Sequence, residues 1–384
     1  MGGPFPDAGM TSESSLSGAQ RLLLALFLLL VVPAALLFVI EGGTSFLLFG
    51  REYLTAPAPS TALRAHVAPD TLLGWVNRPN QSIPNEYGAG IGLTTTALGF
   101  RSTDRATPAD TAAPRLVCSG DSYVLGVGVG DAPTWCAQLA AAFPGLQTIN
   151  MGQEGYGLDQ SFLSYRRDGT RLGHDVVLFA VTDLALERAT TTDNDGRSKP
   201  SLGVDGGALR ATNVPVPPPS GAAIRRATRG RQWNELRLAQ LLNRLPSFNR
   251  RARAAARVDA QWDVFERAFD ELNALTKGAA RTLVLVYLPT GRDLQAGPGD
   301  GRRARLVAYA ARRQLRVIDL TPAMRAMRPD SLDLAFIVQP PPGAAPGVRG
   351  QYSVLGHTWV ARALAARLSD VPALVARRVA PRSR

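Results

Sequence analysis

Cysteine is scarce in this chain of 384 residues, occurring only at Cys118 and Cys136, and the two do not form a CxxC pair. That spacing argues against a metal site, and no metal or other cofactor is expected. Cys118 falls in a predicted central strand and Cys136 in the helix that follows it. A disulfide is permitted if the domain lies outside the cytoplasm, but two buried thiols are the interpretation that we favour.

Lysine is almost absent: it occurs only at Lys199 and Lys277, so arginine supplies nearly all of the formal net charge of +12. Scattered, solvated arginines are one interpretation, and attraction to lipid head groups or acidic glycans is another. The sequence has no basic stripe interleaved with aromatic residues and no nucleic-acid-binding motif, so nucleic acid is not an expected partner.

Charge is also missing from Leu22–Ile40, "LLLALFLLLVVPAALLFVI", whose 19 residues can cross a hydrocarbon core of roughly 30 Å. Pro33 is tolerated inside such a helix. The competing interpretation is a secretory signal, but the apolar run of a signal is only about 7–15 residues long, and "FVIEGG" is a poor cleavage site. We therefore predict an uncleaved anchor over residues 21–41, with the membrane as a partner through residues 22–40.

The orientation of this anchor follows from its flanks. Arg21 precedes the apolar run and Glu41 follows it, which favours a cytoplasmic N-terminus and an exported body. The other predicted divisions are a disordered cytoplasmic tail (1–20), a juxtamembrane stalk merging into the domain edge (42–110), a main domain (111–372) and a basic tail (373–384).

Strands and helices alternate from Arg115 onward. Apolar runs that suit buried parallel strands lie at 115–120, 147–151, 175–182, 281–288 and 315–320. The helices between them are predicted from an Asp131 cap before "APTWCAQLAAAF", an apolar stripe over 258–276 and a last helix from Ser353 to Leu368. The alternation predicts an α/β, three-layer sandwich around a parallel sheet.

An insertion, 185–257, interrupts this alternation. It contains a predicted hairpin around Asp205-Gly206-Gly207, followed by an extended proline segment. The run "RRARAAAR" at 250–257 is either a solvated helix face, the favoured interpretation, or a basic helix for contact with a membrane or glycan.

The stretch "VCSGDSYVLGVGV" carries the clearest chemistry in the chain. An apolar strand runs into Gly120-Asp121-Ser122 and a glycine-rich turn. This places the hydroxyl of Ser122 at the carboxyl edge of the sheet, where α/β folds put their sites. Three further blocks follow later strands: "NMGQEGYGLDQ" with Gly152, "LFAVTDLAL" with Thr182-Asp183, and "GQYSVLGHTWVARAL" near the C-terminus.

The order and spacing of the four blocks resemble the SGNH hydrolase (GDSL esterase/lipase) family over roughly 115–370. The anchor, stalk and insertion look like its membrane-anchored bacterial members. The resemblance implies a flavodoxin-like parallel five-stranded sheet and ester hydrolysis or acyl transfer. It also implies Ser122 as nucleophile, the Gly152 amide in the oxyanion hole, and Thr182 in place of the asparagine that usually completes that hole.

The family's late Asp-x-x-His block is altered in this chain. If Gly356-His357 is matched to the family's Gly-His, Gln351 stands where the catalytic histidine is expected, and Val348 or Arg349 where the aspartate is expected. Glutamine cannot take a proton near neutral pH, so Ser122 would lack its general base.

None of the three histidines follows an aspartate by three positions. His357 has a packing or helix-start role in the favoured interpretation, and in the other it serves as a rewired base with a loop acid such as Asp333. His66, in the stalk, and His174, before a strand, are expected to be incidental.

Two functions remain open at this point. The first is a membrane-anchored serine esterase or acyltransferase that acts on O-acyl groups of cell-envelope glycans or lipids, with its domain periplasmic or extracellular. The second is a catalytically inactive protein of the same fold, serving as a binding or scaffold protein of the envelope.

Overall fold

The computed structural model describes residues 17–55, 66–103, 113–194, 197–217, 256–295, 301–344 and 347–375. Most of the predicted N-terminal and C-terminal tails and of the basic run 250–257 lies outside these residues. The chain divides into two compact units: Met1–Ala58 with Arg231–Arg250, and Pro59–Gly230 with Arg251–Arg384. Each unit is described by itself.

The first unit contains one apolar helix in three parts: α1 (Gly18–Leu26), a π-helical turn (Phe27–Val31) and α2 (Val32–Thr55). Ser17 and Gln20 form a capping box at its start. Pro33 cannot donate to the carbonyl four residues earlier, which accounts for the π-helical turn just before it. The stretch Gly18–Thr44 is long and apolar enough to cross a membrane, by length and composition alone.

The second unit begins with two small antiparallel ribbons, in the region expected as stalk and domain edge. The first ribbon pairs β1 (Val67–Asp70) with β2 (Gly74–Asn77), and the second pairs β3 (Ser82–Ile83) with β4 (Leu93–Thr94). Val67, Leu73 and Trp75 are buried in the main core. Residues 66–103 are therefore part of the folded domain.

A parallel five-stranded sheet forms the centre of this unit, as predicted. Its strands are β5 (Arg115–Ser119), β6 (Gln147–Asn150), β7 (Val176–Val181), β12 (Thr282–Tyr287) and β13 (Arg316–Asp319). Their spatial order is β13-β12-β7-β5-β6. If these five are renumbered along the chain, the order becomes 2-1-3-4-5, which is the flavodoxin-like order.

Helices cover both faces of the sheet. They are α3 (Ser122–Leu125), α4 (Trp135–Ala142), α5 (Leu158–Arg167), α6 (Asp183–Arg188), α7 (Trp262–Gly278), α8 (Gly291–Gln295), α9 (Gly301–Arg312), α10 (Thr321–Arg325), α11 (Pro329–Leu334), α12 (Val354–Leu368) and α13 (Pro372–Val375). Side chains of α5, α7 and α9 share one core cluster with Val117 and Phe179. Side chains of α4, α10 and α12 share another with Leu116 and Leu178. Neighbouring residues of each strand thus face different layers, and the three-layer prediction is confirmed.

The predicted cap of α4 is wrong. Thr134, not Asp131, occupies the N-cap, and its hydroxyl accepts from the backbone N–H of Ala137. The carboxylate of Asp131 instead accepts a hydrogen bond from Arg101 Nε at 2.7 Å. The carboxylate that we predicted as a helix cap therefore forms an ion pair with Arg101, which lies thirty positions earlier and cannot be predicted from the local sequence.

The interpretation of two buried thiols is also wrong, because Cys118 and Cys136 form a disulfide. Cys118 lies on the face of β5 that α4 covers, and the Cα atoms of the two residues are 6.3 Å apart. Such a distance is within the range that a disulfide bridges. The bond joins the strand leading to Ser122 to the helix packed on it.

The described part of the insertion contains four short strands. They are β8 (Asp193–Asn194), β9 (Arg197–Ser198), β10 (Ser201–Asp205) and β11 (Ala208–Thr212). β10 and β11 form the predicted hairpin, and Gly206 and Gly207 supply its turn with φ of 55° and 82°. Lys199, fully buried just before β10, donates to the buried carboxylate of Asp159 on α5 at 2.5 Å. This ion pair attaches the insertion to the core.

Candidate active site

Ser122 begins α3 at the carboxyl end of β5, where the sequence predicts it. Asp121 caps the helix by accepting from the backbone N–H of Tyr123 at 3.0 Å. Gly120 leaves no room for a side chain: a Cβ there would lie 2.5 Å from Val124 Cγ2 and 2.9 Å from the carbonyl oxygen of Ala180. The tight turn places Ser122 at the sheet edge, and only 2% of its surface is exposed.

Gln351 is the side chain that contacts this serine. Its Nε2 donates to Ser122 Oγ at 3.2 Å, across 229 positions of sequence. The surrounding loop is held in place because Tyr123 donates its hydroxyl hydrogen to the carbonyl oxygen of Gly350 at 2.8 Å. In the part of the chain that the structure describes, this amide is the one hydrogen-bond partner of the Ser122 hydroxyl.

Val348 and Arg349, the positions matched to the family's aspartate, have different surroundings. Val348 is fully buried in a small apolar cluster with Tyr87, Leu125 and Val127, whereas Arg349 is exposed. Neither supplies a carboxylate beside Gln351. The equivalence of Gln351 with the family's histidine remains a prediction.

His357 is engaged elsewhere. Its Nδ1 accepts from the backbone N–H of Trp135 at 3.2 Å, and its ring packs edge-on against Tyr352. Burial lowers the pKa of His357 to about 3, and the positive charge of Arg101 acts in the same direction. Among the described residues, no hydrogen bond or ion pair joins His357 to Ser122 or to the exposed Asp333, so a rewired triad is not assembled.

The two other histidines also have local partners. His174 contacts the hydroxyl of Tyr165 through Nε2 at 2.9 Å and the carbonyl oxygen of Leu172 through Nδ1 at 2.7 Å. His66 is fully buried, with its Nδ1 3.1 Å from a carboxylate oxygen of Glu86. Both histidines belong to the packing of the domain.

Gly152 lies close to the helix that begins at Ser122, but its amide is already bonded. The Gly152 N–H donates to Asn150 Oδ1 at 2.9 Å, and Asn150 Nδ2 donates to the carbonyl oxygen of Val124 at 2.8 Å. A Cβ on Gly152 would lie 2.1 Å from the backbone nitrogen of Leu125, so only glycine permits this approach to α3. The oxyanion role of Gly152 stays a prediction, and it requires this amide to exchange partners.

Thr182 is likewise committed to other groups. Its hydroxyl donates to Asp121 Oδ2 at 2.7 Å and accepts from the backbone N–H of Ala185 at 3.0 Å, which caps α6. In this arrangement its hydrogen points to a carboxylate rather than to a bound carbonyl. The predicted role of Thr182 in an oxyanion hole would require that hydrogen to turn away from Asp121.

Arg188 and Gln153 complete the surroundings of the serine, and the sequence analysis missed both. Arg188 Nη1 lies 3.5 Å from Asp121 Oδ2. Burial raises the pKa of the Asp121 carboxyl, and the charge of Arg188 opposes that change. The backbone N–H of Gln153 donates to the carbonyl oxygen of Gly120 at 3.1 Å. The second block, which begins with "NMGQ", was the available signal for Gln153, while nothing local marked Arg188.

Three buried polar atoms in these surroundings have no hydrogen-bond partner: Gln153 Oε1, Gln351 Oε1 and Arg188 Nη1. A buried polar group without a partner costs about 1–3 kcal/mol, and such groups are rare in native structures. Gln351 Oε1 belongs to the amide that contacts Ser122, whereas Gln153 and Arg188 contact the neighbouring Gly120 and Asp121. No group of three or more His, Cys, Asp or Glu side chains suited to a metal ion occurs in the ranges that the structure covers.

Arg101, from the "GFRS" segment, fixes the loop that follows α3. Besides Asp131, its guanidinium donates to the carbonyl oxygens of Leu125, Gly126, Val129 and Gly92. With only 4% of its surface exposed, it is a buried cation fully surrounded by acceptors. The segment that precedes β5 thus holds the loop that follows the helix of Ser122.

No protein-family model and no curated protein sequence matches this chain. Solved structures share the fold at low identity. The lipase/acylhydrolase from Enterococcus faecalis is 13% identical, with a TM-score of 0.36, and the match covers 66% of this chain and 95% of that one. Axe2, an acetylxylan esterase from Geobacillus stearothermophilus, is 14% identical, with a TM-score of 0.35 and coverage of 66% and 94%.

A family two carbohydrate esterase from Clostridium thermocellum, solved with cellohexaose, is 10% identical, with a TM-score of 0.35 and coverage of 70% of this chain and 67% of that one. At these identities the likeness concerns the α/β fold alone. The chemistry of this chain has to be argued from its own site.

Proposed function

We propose that this chain is a non-hydrolytic binding protein of SGNH-like fold, whose Ser122 site holds an O-acylated glycan or lipid of the cell envelope. The contact between Gln351 Nε2 and Ser122 Oγ at 3.2 Å carries the proposal. A serine attacks an ester only when a neighbouring base takes its proton, and a carboxamide does not do so near neutral pH. The group that contacts the Ser122 hydroxyl is therefore neutral and cannot take its proton.

The polar atoms without a hydrogen-bond partner support the ligand class. Gln153 Oε1 and Gln351 Oε1 can accept from sugar hydroxyls. Arg188 Nη1, ion-paired with Asp121 at 3.5 Å but without a hydrogen bond, can donate to an acyl carbonyl. Polar groups that have no partner within the protein are available to hydrogen-bond a ligand. The hydrolase names of the neighbouring folds are consistent with acylated ligands.

The cellular setting belongs to the same proposal. The apolar helix anchors the chain in the membrane, and the domain with Ser122 lies on the exported side. The disulfide between Cys118 and Cys136 supports export, because such bonds persist in oxidising compartments.

The experiment uses the full chain in lipid nanodiscs. Binding of a partly O-acetylated oligosaccharide is measured by calorimetry beside the same oligosaccharide after chemical deacetylation. We expect the acetylated form to bind and Gln351→Leu to weaken this binding about fivefold or more, since a hydrogen bond to the ligand is worth about 1 kcal/mol. Gln339→Leu, an exposed glutamine of the same loop, is the matched control and should bind as wild type does.

The alternative function, a serine esterase or acyltransferase, is favoured by one observation: Ser122 stands in the first turn of a helix at the carboxyl edge of the sheet. The same samples test it through acetate release and labelling by a fluorophosphonate. Turnover that disappears in Ser122→Ala would establish the hydrolase and overturn the binding proposal. We expect acetate release to be equal in wild type and Ser122→Ala.

A further inference from the structure

Outside the N-terminal helix, four of the exposed large apolar side chains belong to two chain segments that lie side by side. Their exposed fractions are 59% for Leu334, 56% for Val338, 50% for Val354 and 57% for Leu355. These four residues are called the Leu334 patch. A cluster of exposed branched aliphatic side chains marks an interaction surface more often than single ones do.

Backbone contacts hold the two segments of the patch together. The N–H of Ser353 donates to the carbonyl oxygen of Ala335 at 2.9 Å, and the N–H of Ile337 donates to that of Gln351 at 2.8 Å. Gly356 approaches Ala335 so closely that a Cβ would lie 2.1 Å from its carbonyl oxygen. The patch is therefore fixed in place and adjoins Gln351, the residue that contacts Ser122.

The charges around the patch balance. Asp330 and Asp333 are exposed on α11, while Arg328 and Arg349 are exposed beside them. An anionic or a cationic surface gains little from this arrangement. The patch can therefore bind a partner mainly through apolar contact. This indicates a partner whose apolar interior lies close to its surface.

The chain also limits where that partner lies. Only ten residues separate Thr55, the end of α2, from His66, the first described residue of the domain. Fully extended, they reach at most about 36 Å. A linker of this length lets the domain reach a membrane that the N-terminal helix crosses.

We propose that the Leu334 patch docks on the lipid surface and that the Ser122–Gln351 site opens at the membrane interface to take an amphiphilic ligand with its acyl chain in the lipid. This inference rests on the proposed function and names the class of ligand. Because Gln351 adjoins the patch, a head group bound at Ser122 would lie next to side chains immersed among acyl chains. Interfacial binding of this kind grows with the apolar area buried.

The test uses the full chain in liposomes with a single new thiol, since the described cysteines are paired in a disulfide. Val338→Cys carries an environment-sensitive fluorophore. Val204→Cys, on the exposed hairpin strand β10, is the matched control. We expect blue-shifted emission at 338 that is strongly quenched by lipids with brominated acyl chains, and water-like, unquenched emission at 204.

Further measurements distinguish docking on lipid from contact with a second copy of the chain. Adding Leu334→Asp and Leu355→Asp to the labelled chain should abolish the quenching at 338. High salt should leave the quenching of the labelled chain without these two substitutions unchanged. Equal signals at 338 and 204, or quenching removed by salt, would overturn the docking. A blue shift without lipid quenching, together with disulfide-linked dimers of the unlabelled Val338→Cys chain, would assign the patch to a second copy and also overturn the docking.

The two proposals fail in different ways. If lipid quenches the fluorophore at 338 but no acylated ligand binds, the docking is supported and the binding function is refuted. Ligand binding without lipid quenching would leave the binding function and refute the docking. Gln351→Leu should lose ligand binding while it keeps the quenching at 338.

Discussion

At the scale of single residues, the Ser122 hydroxyl has a neutral amide for a partner, and one substitution tests the consequence. Gln351→His would put an imidazole within reach of Ser122 Oγ, since the present contact is 3.2 Å. We expect hydrolysis of a short acyl ester to rise by about 10²–10⁴, and to increase as the pH passes through about 6.5. Ester turnover against pH is the measurement.

The control is Gln351→His combined with Ser122→Ala, which should return to the background of wild type. A carboxylate partner is best added as Arg349→Asp, because position 349 is exposed. Val348→Asp would place a charge in the apolar cluster around Tyr87 and should destabilise the domain. If no folded combination gains Ser122-dependent turnover, Gln351 does not stand at the position of the family's histidine.

His357 makes the stability of the domain depend on pH. Its pKa is lowered to about 3 by burial, whereas an unfolded histidine titrates near 6.5. Between these values the unfolded chain binds more protons, so stability is lost as the pH falls from about 6.5 towards 3. We expect a loss of about 2 kcal/mol in the free energy of unfolding between about pH 7 and pH 4.5.

Denaturant titration at several pH values measures this loss. His357→Asn keeps an acceptor for the Trp135 N–H without a group that titrates in the range. Its stability should fall less steeply with acid, although His174, whose pKa burial lowers to about 4, retains part of the trend. An unchanged slope in His357→Asn would contradict the assignment.

At the scale of secondary-structure elements, the disulfide between β5 and α4 is the strongest single link near the site. It closes a loop of 18 positions, and such a crosslink is worth about 3 kcal/mol through restriction of the unfolded chain. Cys118→Ala with Cys136→Ala should lower the free energy of unfolding by about that amount. The measurement is chemical unfolding of the double variant beside oxidised wild type.

A matched comparison is wild type unfolded under reducing conditions, which should reproduce the loss. Reducing agent should not change the double variant. If oxidised and reduced wild type unfold at the same denaturant concentration, the disulfide between β5 and α4 contributes nothing to stability, which would contradict the prediction.

The elements differ in how far sequence could predict them. The five parallel strands were predictable because each is an apolar run bounded by turn residues, and the helix over 258–276 because its stripe has a period near 3.6. The Asp131 cap failed because Arg101, thirty positions earlier, takes that carboxylate. The pairing of Cys118 with Cys136 depends on which face of β5 the helix α4 covers.

The residues of the candidate site also differ in how far the sequence could predict them. Ser122 was predictable because a strand, a tight turn and a helix are adjacent in sequence, and Gly152 because it follows the next strand. The contact with Gln351 spans 229 positions, and it was anticipated only by matching a late block to a family pattern. Arg188 lies on a helix face without a local signal, and its approach to Asp121 depends on the pairing of β5 with β7, the strand that α6 follows.

At the scale of the whole molecule, the apolar N-terminal helix and the disulfide make one joint prediction about topology. The flanks of the apolar helix, Arg21 and Glu41, favour a cytoplasmic N-terminus. A disulfide inside the domain needs an oxidising compartment on the other side. In bacterial cells we expect alkaline phosphatase fused after Arg384 to be active and green fluorescent protein fused there to be dark.

The thiols of the same fusion give an independent reading of topology. After denaturation without reductant, neither Cys118 nor Cys136 should react with a maleimide, because both are held in the bond. A chain with the anchor deleted stays in the cytoplasm, where thiols are kept reduced, and should react at both positions. If the domain is exported and its thiols are free, the disulfide is not needed for export. If the domain stays in the cytoplasm with free thiols, the predicted orientation is wrong. Either result would remove the support that the disulfide gives to an envelope ligand for the Ser122 site.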